Sequence, residues 1–391
     1  MAERFRSRNT ATVLPGGYRI RRISDDWTVI TSSGAAGTSG YETCHDVTMS
    51  PPYNVDHIFV CEKRRANPLR LYGYMPWILD GYEFEYEGYN PQNRSLYQYS
   101  PDITPINWEY WKTKALANLN PNAPVVDIPL FVFEFKDFPA MLRNMGDILG
   151  KRMKPDAIPG GYLAYSFGWK PLVADLLALF DIQKSISDRL SYLRRLEHGG
   201  HIKRSLGGGV VQHYIVQNGY QAEASGSNTA IIADIEILEK QKVWFTANAK
   251  LLEPLPLLLS EQRGLSQDIV LGLNVDPSTL WNMIPWSWLI DYFFNLGDVM
   301  LAYRGGLTFQ CTRMCVMAES RITSTLKNVR TYRSVISEGG DLSTITKQRS
   351  VFTNPRPQLT WDPILSGTQI LNLGALITSK ALGKASRFGP L

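Results

Sequence analysis

The chain has 391 residues, 44% hydrophobic and 20% charged, proportions that exclude a disordered chain and a length that suits two domains better than one. Four cysteines in this length exclude a fold held by a disulfide framework, and free, mostly buried thiols are expected. A formal charge of +5 is modest, but ten Trp and nineteen Tyr favour a binding role, since aromatics serve interfaces and stack on bases.

The placement of charge says more than its sum. From residue 321 onward ten basic residues stand against three acidic ones, a net of +7, leaving −2 for residues 1–320. A basic end on a near-neutral body points to a polyanion, with a solvated basic surface as the alternative. Arg4, Arg6 and Arg8 precede no apolar run, so no secretory leader is expected.

In chain order, residues 1–103 read as strands and loops. Tyr18–Ile20, Trp27–Ile30 and Val55–Cys61 are short strand candidates, and Ser32–Gly40 is a flexible run. Tyr82 to Glu87 alternates strictly, placing three rings on one face and three carboxylates on the other. Around it lie Tyr72, Tyr74, Trp77, Tyr89, Tyr97 and Tyr99, an aromatic set suited to a protein partner. Ordinary strand packing explains Tyr82 and Tyr86 equally well.

Residues 104–204 turn helical. Thr104-Pro105 opens a run to Leu119, and Asp137 to Lys154 is a second helix whose tail carries Lys151, Arg152 and Lys154. Leu172, Leu176, Leu179, Gln183, Ile186, Leu190 and Leu193 then keep a four-three rhythm. Between Pro171 and Gly199 this predicts one bundle helix about 42 Å long. Arg194, Arg195, Lys203 and Arg204 cluster at its C-terminal end, where they complement the helix dipole and suit phosphate.

Residues 205–250 switch to strands, at Val210–Gln217 and Ala230–Phe245, about a polar turn from Gly219 to Asn228. Residues 251–304 are helical again. Asp276-Pro277 is a helix start, and from Pro285 onward Leu289, Phe293, Leu296, Met300 and Tyr303 form one stripe, with Trp286, Trp288, Ile290, Tyr292 and Phe294 filling the other faces. A helix apolar all round is predicted to lie in the middle of its lobe. Asp291 and Asp298 interrupt it, which argues against a membrane span. Residues 305–361 return to strands, with a turn at Glu338–Asp341. Residues 362–391 close the chain with a basic helix carrying Lys380, Lys384 and Arg387, in which Ile370, Leu373, Ile377 and Ala381 share a face.

The blocks alternate strand and helix without a short βαβ rhythm, which predicts an α+β fold. The expected molecule is elongated and two-lobed, a helical bundle lobe and an antiparallel β-sheet lobe, each built from discontinuous segments.

Chemistry is sparse. There is no nucleotide phosphate loop, no H-E-x-x-H and no nucleophile elbow. Gly207–Gly209 lacks the lysine and helix start a phosphate loop needs. Cys311 and Cys315, about 13 Å apart on one face of a strand, lack a second ligand pair. His198 and His201 read as a helix-end cap and a loop residue ahead of a metal or proton-relay pair. Asp291 reads as a structural carboxylate, paired with an Arg or with a neighbouring helix end, ahead of a catalytic acid. No enzyme and no cofactor is expected; basic helix ends beside an aromatic β region are a binder's profile.

Two segments resemble a known family. Phe167-Gly168-Trp169-Lys170-Pro171-Leu172, with Asp175, is similar to the F-G-W-x-P-L motif that opens a long helix in the maturation (A) proteins of single-stranded RNA bacteriophages. Pro285-Trp286-Ser287-Trp288-Leu289-Ile290-Asp291-Tyr292, with Gly297, resembles the family's P-[aromatic]-S-[aromatic]-x-x-D-[aromatic] helix. The match covers about a quarter of the chain, mainly its helical blocks.

The resemblance implies a virion component present once per capsid, beside the coat protein. It would bind genomic single-stranded RNA at a 3′ hairpin through the helical lobe and a host pilin through the β lobe, be made in the host cytoplasm, and enter the next host with the RNA. Phosphate contact would fall to Lys151, Arg152, Lys154, Arg194, Arg195, Lys203, Arg204, Lys380, Lys384 and Arg387. Pilus contact would fall to the Tyr72–Tyr99 set, and Trp169, Trp286, Trp288 and Asp291 to the lobe core. Alternatives are host lysis by inhibiting cell-wall synthesis and a non-phage RNA-binding structural role.

Overall fold

The computed structural model describes residues 2–10, 12–14, 16–22, 36–38, 40–48, 59–76, 82–89, 101–135, 162, 165–166, 170–224, 228–284, 287–331, 336–361 and 367–385. The fold is α+β with an antiparallel sheet. The chain divides into two compact units, one of residues Met1–Ile106, Gly207–Val243 and Met317–Val351, the other of Asn107–Leu206, Trp244–Val316 and Phe352–Leu391.

The first unit is built on strands. They are β1 (Ala2–Asn9), β2 (Thr12–Leu14), β3 (Gly16–Arg22), β4 (Ala36–Thr38), β5 (Tyr41–Thr48), β6 (Phe59–Pro76) and β7 (Tyr82–Tyr89), with the greater parts of β8 (His201–Ala224), β9 (Asn228–Leu251), β10 (Phe309–Thr331) and β11 (Ile336–Thr353). The main sheet runs β1-β5-β6-β11-β10-β9-β8, with β7 also on β6 and β3 on β7. Its core follows the period of two: Ala233, Ile235 and Ile237 on β9, Ala318 and Ile322 on β10, and Leu342 on β11 are buried. Glu239 continues the β9 row as a fully buried carboxylate. It accepts from the Thr104 hydroxyl at 2.6 Å and from the Thr104 amide at 3.3 Å.

Three expectations about the strands change. The turn expected at Glu338–Asp341 lies inside β11, where Gly339 and Gly340 each take a φ of +81° and the ladder with β6 continues on both sides. The polar break from Gly219 to Asn228 is mostly strand, because β8 and β9 run on through it. Cys44 and Cys61, expected as thiols, face each other in the β5–β6 register and form a disulfide across a Cα separation of 4.1 Å. They lie seventeen positions apart in sequence, and only the strand pairing brings them together.

The second unit holds the helices: α1 (Trp108–Leu119), α2 (Ile128–Phe135), α3 (Lys170–Phe180), α4 (Ile182–Glu197), α5 (Leu259–Val270), α6 (Pro277–Met283), α7 (Ser287–Ile290), α8 (Leu296–Ala302) and α9 (Gly367–Ala385). Contacts join α1 to α8, α4 to α5, and α6 to both α2 and α8. Leu116, Leu119, Leu193, Leu196, Phe245, Val270 and Met314 are buried here. Among the described residues no helix is long and apolar enough to cross a membrane.

Helix limits follow the capping chemistry. α1 starts at Trp108, not Thr104, because the Asn107 side chain accepts from the Tyr110 amide while Thr104 is engaged by Glu239. Asp127 starts the unforeseen α2 by accepting from the Leu130 amide at 3.3 Å. The long helix from Pro171 is nearly continuous, interrupted at Asp181 between α3 and α4. It stops at Gly199, whose φ is +73°. There Gly200 N donates to Arg195 O at 2.9 Å and Gly199 N to Leu196 O at 3.0 Å, the paired bonds of a Schellman end. The predicted helix at Asp137–Lys154 lies outside the described residues.

The stripe expected to form one central helix is cut in two. Phe294 forms a β-bridge with Trp361, and Asn295 exchanges side-chain bonds with Thr360 N at 2.7 Å and Gln358 O at 3.0 Å. α7 and α8 therefore stand on either side of a turn, and a central burial is not found: Ile290 is 44% and Tyr303 66% exposed. In α9, Ile370 and Ile377 of the expected face are exposed; among the described residues of this helix Asn372 is buried, donating to the Tyr292 hydroxyl at 2.6 Å.

Candidate nucleic-acid interface

The basic cluster that the structure assembles lies at the C-terminal end of α4 and the first residues of β8. Helix periodicity buries Ile186, Leu193 and Leu196 on one side and leaves Arg194 and Arg195 exposed in the last turn. The Schellman end then reverses the chain into β8. Alternation buries Ile202 and Leu206 and leaves His201 and Lys203 outward. Ala249 N donates to Gly200 O at 3.5 Å, and His201 Nδ1 lies 3.0 Å from Asn248 Oδ1. That register sets the exposed Lys250 of β9 beside the same helix end.

Each cation is held differently. Arg194 donates through Nε and Nη2 to Gln262 Oε1 at 3.2 and 2.9 Å, and Gln262 is fixed by donating to Pro256 O at 2.7 Å. This fastens α4 to α5 and places the exposed Arg263 next to the cluster. Among the described residues no carboxylate pairs with Arg194, Arg195 or Lys203. The nearest in sequence, Glu197, is spent on the Leu255 amide at 3.0 Å. The positive charge at this corner is therefore not neutralised locally, and the carbonyl end of α4 favours it.

Arg204 has a different job from its neighbours. Its guanidinium lies 4.3 Å from the centre of the Tyr192 ring and donates to Asn118 O at 2.5 Å. Arg189 approaches the same ring at 6.0 Å and donates to Pro121 O at 2.6 Å and Ala123 O at 2.5 Å. Tyr192 donates to Leu119 O at 2.5 Å. Burial pushes the Tyr192 phenol up to about 12 and the Arg189 guanidinium down to about 10. These two arginines join α1 and its following turn to α4, so Arg204 braces the surface from below.

Of the other predicted phosphate contacts, Lys151, Arg152, Lys154 and Arg387 lie outside the described residues. Lys380 and Lys384 fall within α9, four residues apart and hence on one helical face. Lys250 and Arg263 were missed; only the strand alternation in ANAKL and the helix register of α5 could have signalled them.

The aromatic set is placed only in part. Trp77, Tyr97 and Tyr99 lie outside the described residues, and Tyr89 ends β7. Tyr72 and Tyr74 on β6 register with Glu87 and Glu85 of β7, not with its aromatic row. On the far side of β7, Glu83 and Glu85 register with Arg21 and Arg19 of β3.

The residues considered for catalysis have structural partners. Asp291 accepts from Gly297 N at 2.8 Å and Trp281 Nε1 at 3.1 Å, so it closes the start of α8; Trp169 and Trp286 lie outside the described residues, and Trp288 falls in α7. Burial raises its carboxyl above the usual range, against the pull of those two donors. His198 is the C-cap of α4. Cys311 is buried, and the β10 alternation slips by a residue before Met314, so Cys315 leaves its row. Among the described residues no three His, Cys, Asp or Glu side chains group as metal ligands.

No protein-family model matches the sequence, and no curated protein matches it.

Proposed function

We propose that this chain is a maturation protein of a single-stranded RNA bacteriophage, a capsid component present once per virion that attaches the particle to a host pilus and enters the host with the genomic RNA. Its helical segments form a bundle lobe that grips RNA, and its strands form a lobe that faces the pilus. Its role is binding rather than catalysis. The observation that carries the RNA half is the exposed corner of Arg194, Arg195 and Lys203, with which no described carboxylate pairs, braced by Arg204 on Tyr192. The two motifs that resemble the family, at Phe167–Leu172 and Pro285–Tyr292, support the phage half.

Phosphates would meet Arg194, Arg195 and Lys203 by charge, while hairpin choice would come from shape and base stacking. The test is filter binding of the full chain to its genomic 3′ hairpin over a salt series. Neutralising the three residues together should flatten the slope of log K against log salt by about 2, at about 0.7 per phosphate on single-stranded RNA. An unchanged slope and affinity would remove the assignment. Pilus adsorption by intact particles, with Tyr72 and Tyr74 replaced by Lys, tests the other half: assembled particles that adsorb normally would reject it.

A further inference from the structure

Strand β8 closes the main sheet at one end, and among the described residues it is paired on one side only, by β9. Such an edge offers a row of backbone N–H and C=O groups to any extended chain, and sheet proteins usually blunt it with charges or proline. The opposite end of the sheet does so: β1 carries exposed Glu3, Arg4, Arg6 and Arg8. β8 does not. From Ser205 to Ala222 there is no Lys, Arg, Asp, Glu or Pro.

The open stretch has defined ends. Gly207 takes a φ of +109° and Asn218 a φ of +52°, so the regular ladder is bounded by two left-handed residues. Between them Val210 is 48%, Tyr214 42% and Ile215 51% exposed. Val210 and Tyr214 belong to one row of the strand and Ile215 to the other. An incoming strand would therefore meet apolar side chains on both of its faces, with His213, held by Glu236 Oε1 at 2.9 Å, beside Ile215 in the second row, which suits a β-branched segment with small polar residues between.

We infer that the free edge of β8, from Val210 to Gln217, docks an extended, uncharged, β-branched segment of a partner protein by strand addition. Main-chain bonds supply the affinity, and the exposed apolar residues on both rows supply the selectivity. The site is independent of the basic corner and does not rest on the RNA reading.

The experiment is amide hydrogen exchange on the full chain, alone and with a synthetic peptide of about eight alternating Val and Thr residues carrying lysines at its ends for solubility. Outward amides within Val210–Gln217 should exchange readily in the free chain and slow by about tenfold or more with the peptide. Val210→Lys with Ile215→Lys should lose that protection while melting like the parent, and Val210→Thr with Ile215→Thr should keep it. Three results would overturn the inference. They are edge amides already protected in the monomer, meaning that the chain covers its own edge; protection that rises with protein concentration, meaning that a second copy docks; and equal protection in the lysine variant.

Discussion

Arg304 stands where three segments of the helical unit meet, and replacing it by Ala removes the only cation described between two largely buried carboxylates. Its side chain is 4% exposed, and it reaches Asp276 Oδ2 at 3.0 Å and Asp127 Oδ2 at 3.3 Å, whose side chains are 12% and 10% exposed. It also donates to Ser278 Oγ and Asn274 O, each at 3.0 Å. Breaking a buried pair by deleting one partner costs about 3–5 kcal/mol, since the remaining charge stays out of water. The lower figure applies here. Asp276 keeps the Ser278 and Thr279 amides at 3.0 and 3.1 Å, and Asp127 keeps the Thr279 hydroxyl at 2.7 Å. At about 2–4 °C per kcal/mol for a unit of this size, a loss of about 3 kcal/mol lowers Tm by about 6–12 °C. Thermal unfolding followed by circular dichroism measures it, with Arg304→Lys expected to recover part of the loss. A Tm for Arg304→Ala within about 2 °C of the parent would refute the reasoning, because two uncompensated carboxylates could not then be buried.

Burial raises the Asp298 carboxyl, with Lys114 opposing and Asp291 adding to the shift. A raised carboxyl contributes stability that is present below its unfolded value and lost as pH rises through its folded one. Asp298→Asn should therefore raise Tm at pH 7 and lose that gain by about pH 3, as thermal melts at the two pH values would show. Burial pushes the Cys311 thiol up to about 12. Iodoacetamide should leave it untouched in the folded chain and modify it after unfolding, whereas Cys44 and Cys61 should need reduction first, which peptide mass mapping reads directly. Arg204→Ala should behave unlike Arg195→Ala. Stripping the cover from Tyr192 should cost about 1–2 kcal/mol in thermal unfolding, while Arg195→Ala should leave Tm unchanged and lower only RNA affinity.

Where sequence reading succeeded, it relied on local rules. The α+β class, the strand at Tyr82–Glu87, the Asp276 cap and the stop at Gly199 each depend on a few adjacent residues, and the structure keeps them. Period, capping oxygen and a residue able to take positive φ act within one turn of chain, so a sequence declares them directly. The same rules brought Arg194, Arg195 and Lys203 together, because helix end and strand start are consecutive.

What the tertiary structure decided are the matters settled by partners distant in the chain. The stripe from Leu289 to Tyr303 has helical spacing throughout, yet Trp361 and Gln358–Thr360 take the backbone and side chain at Phe294–Asn295 and split it. Cys44 meets Cys61 because two strands align, and Arg204 is held apart from its exposed neighbours because it lies on the Tyr192 ring and bonds the Asn118 carbonyl. The edge position of β8 depends on which strand pairs with which, and nothing within residues 210–217 reveals it. A local pattern offers a residue several compatible roles, and burial and long-range hydrogen bonds select one of them.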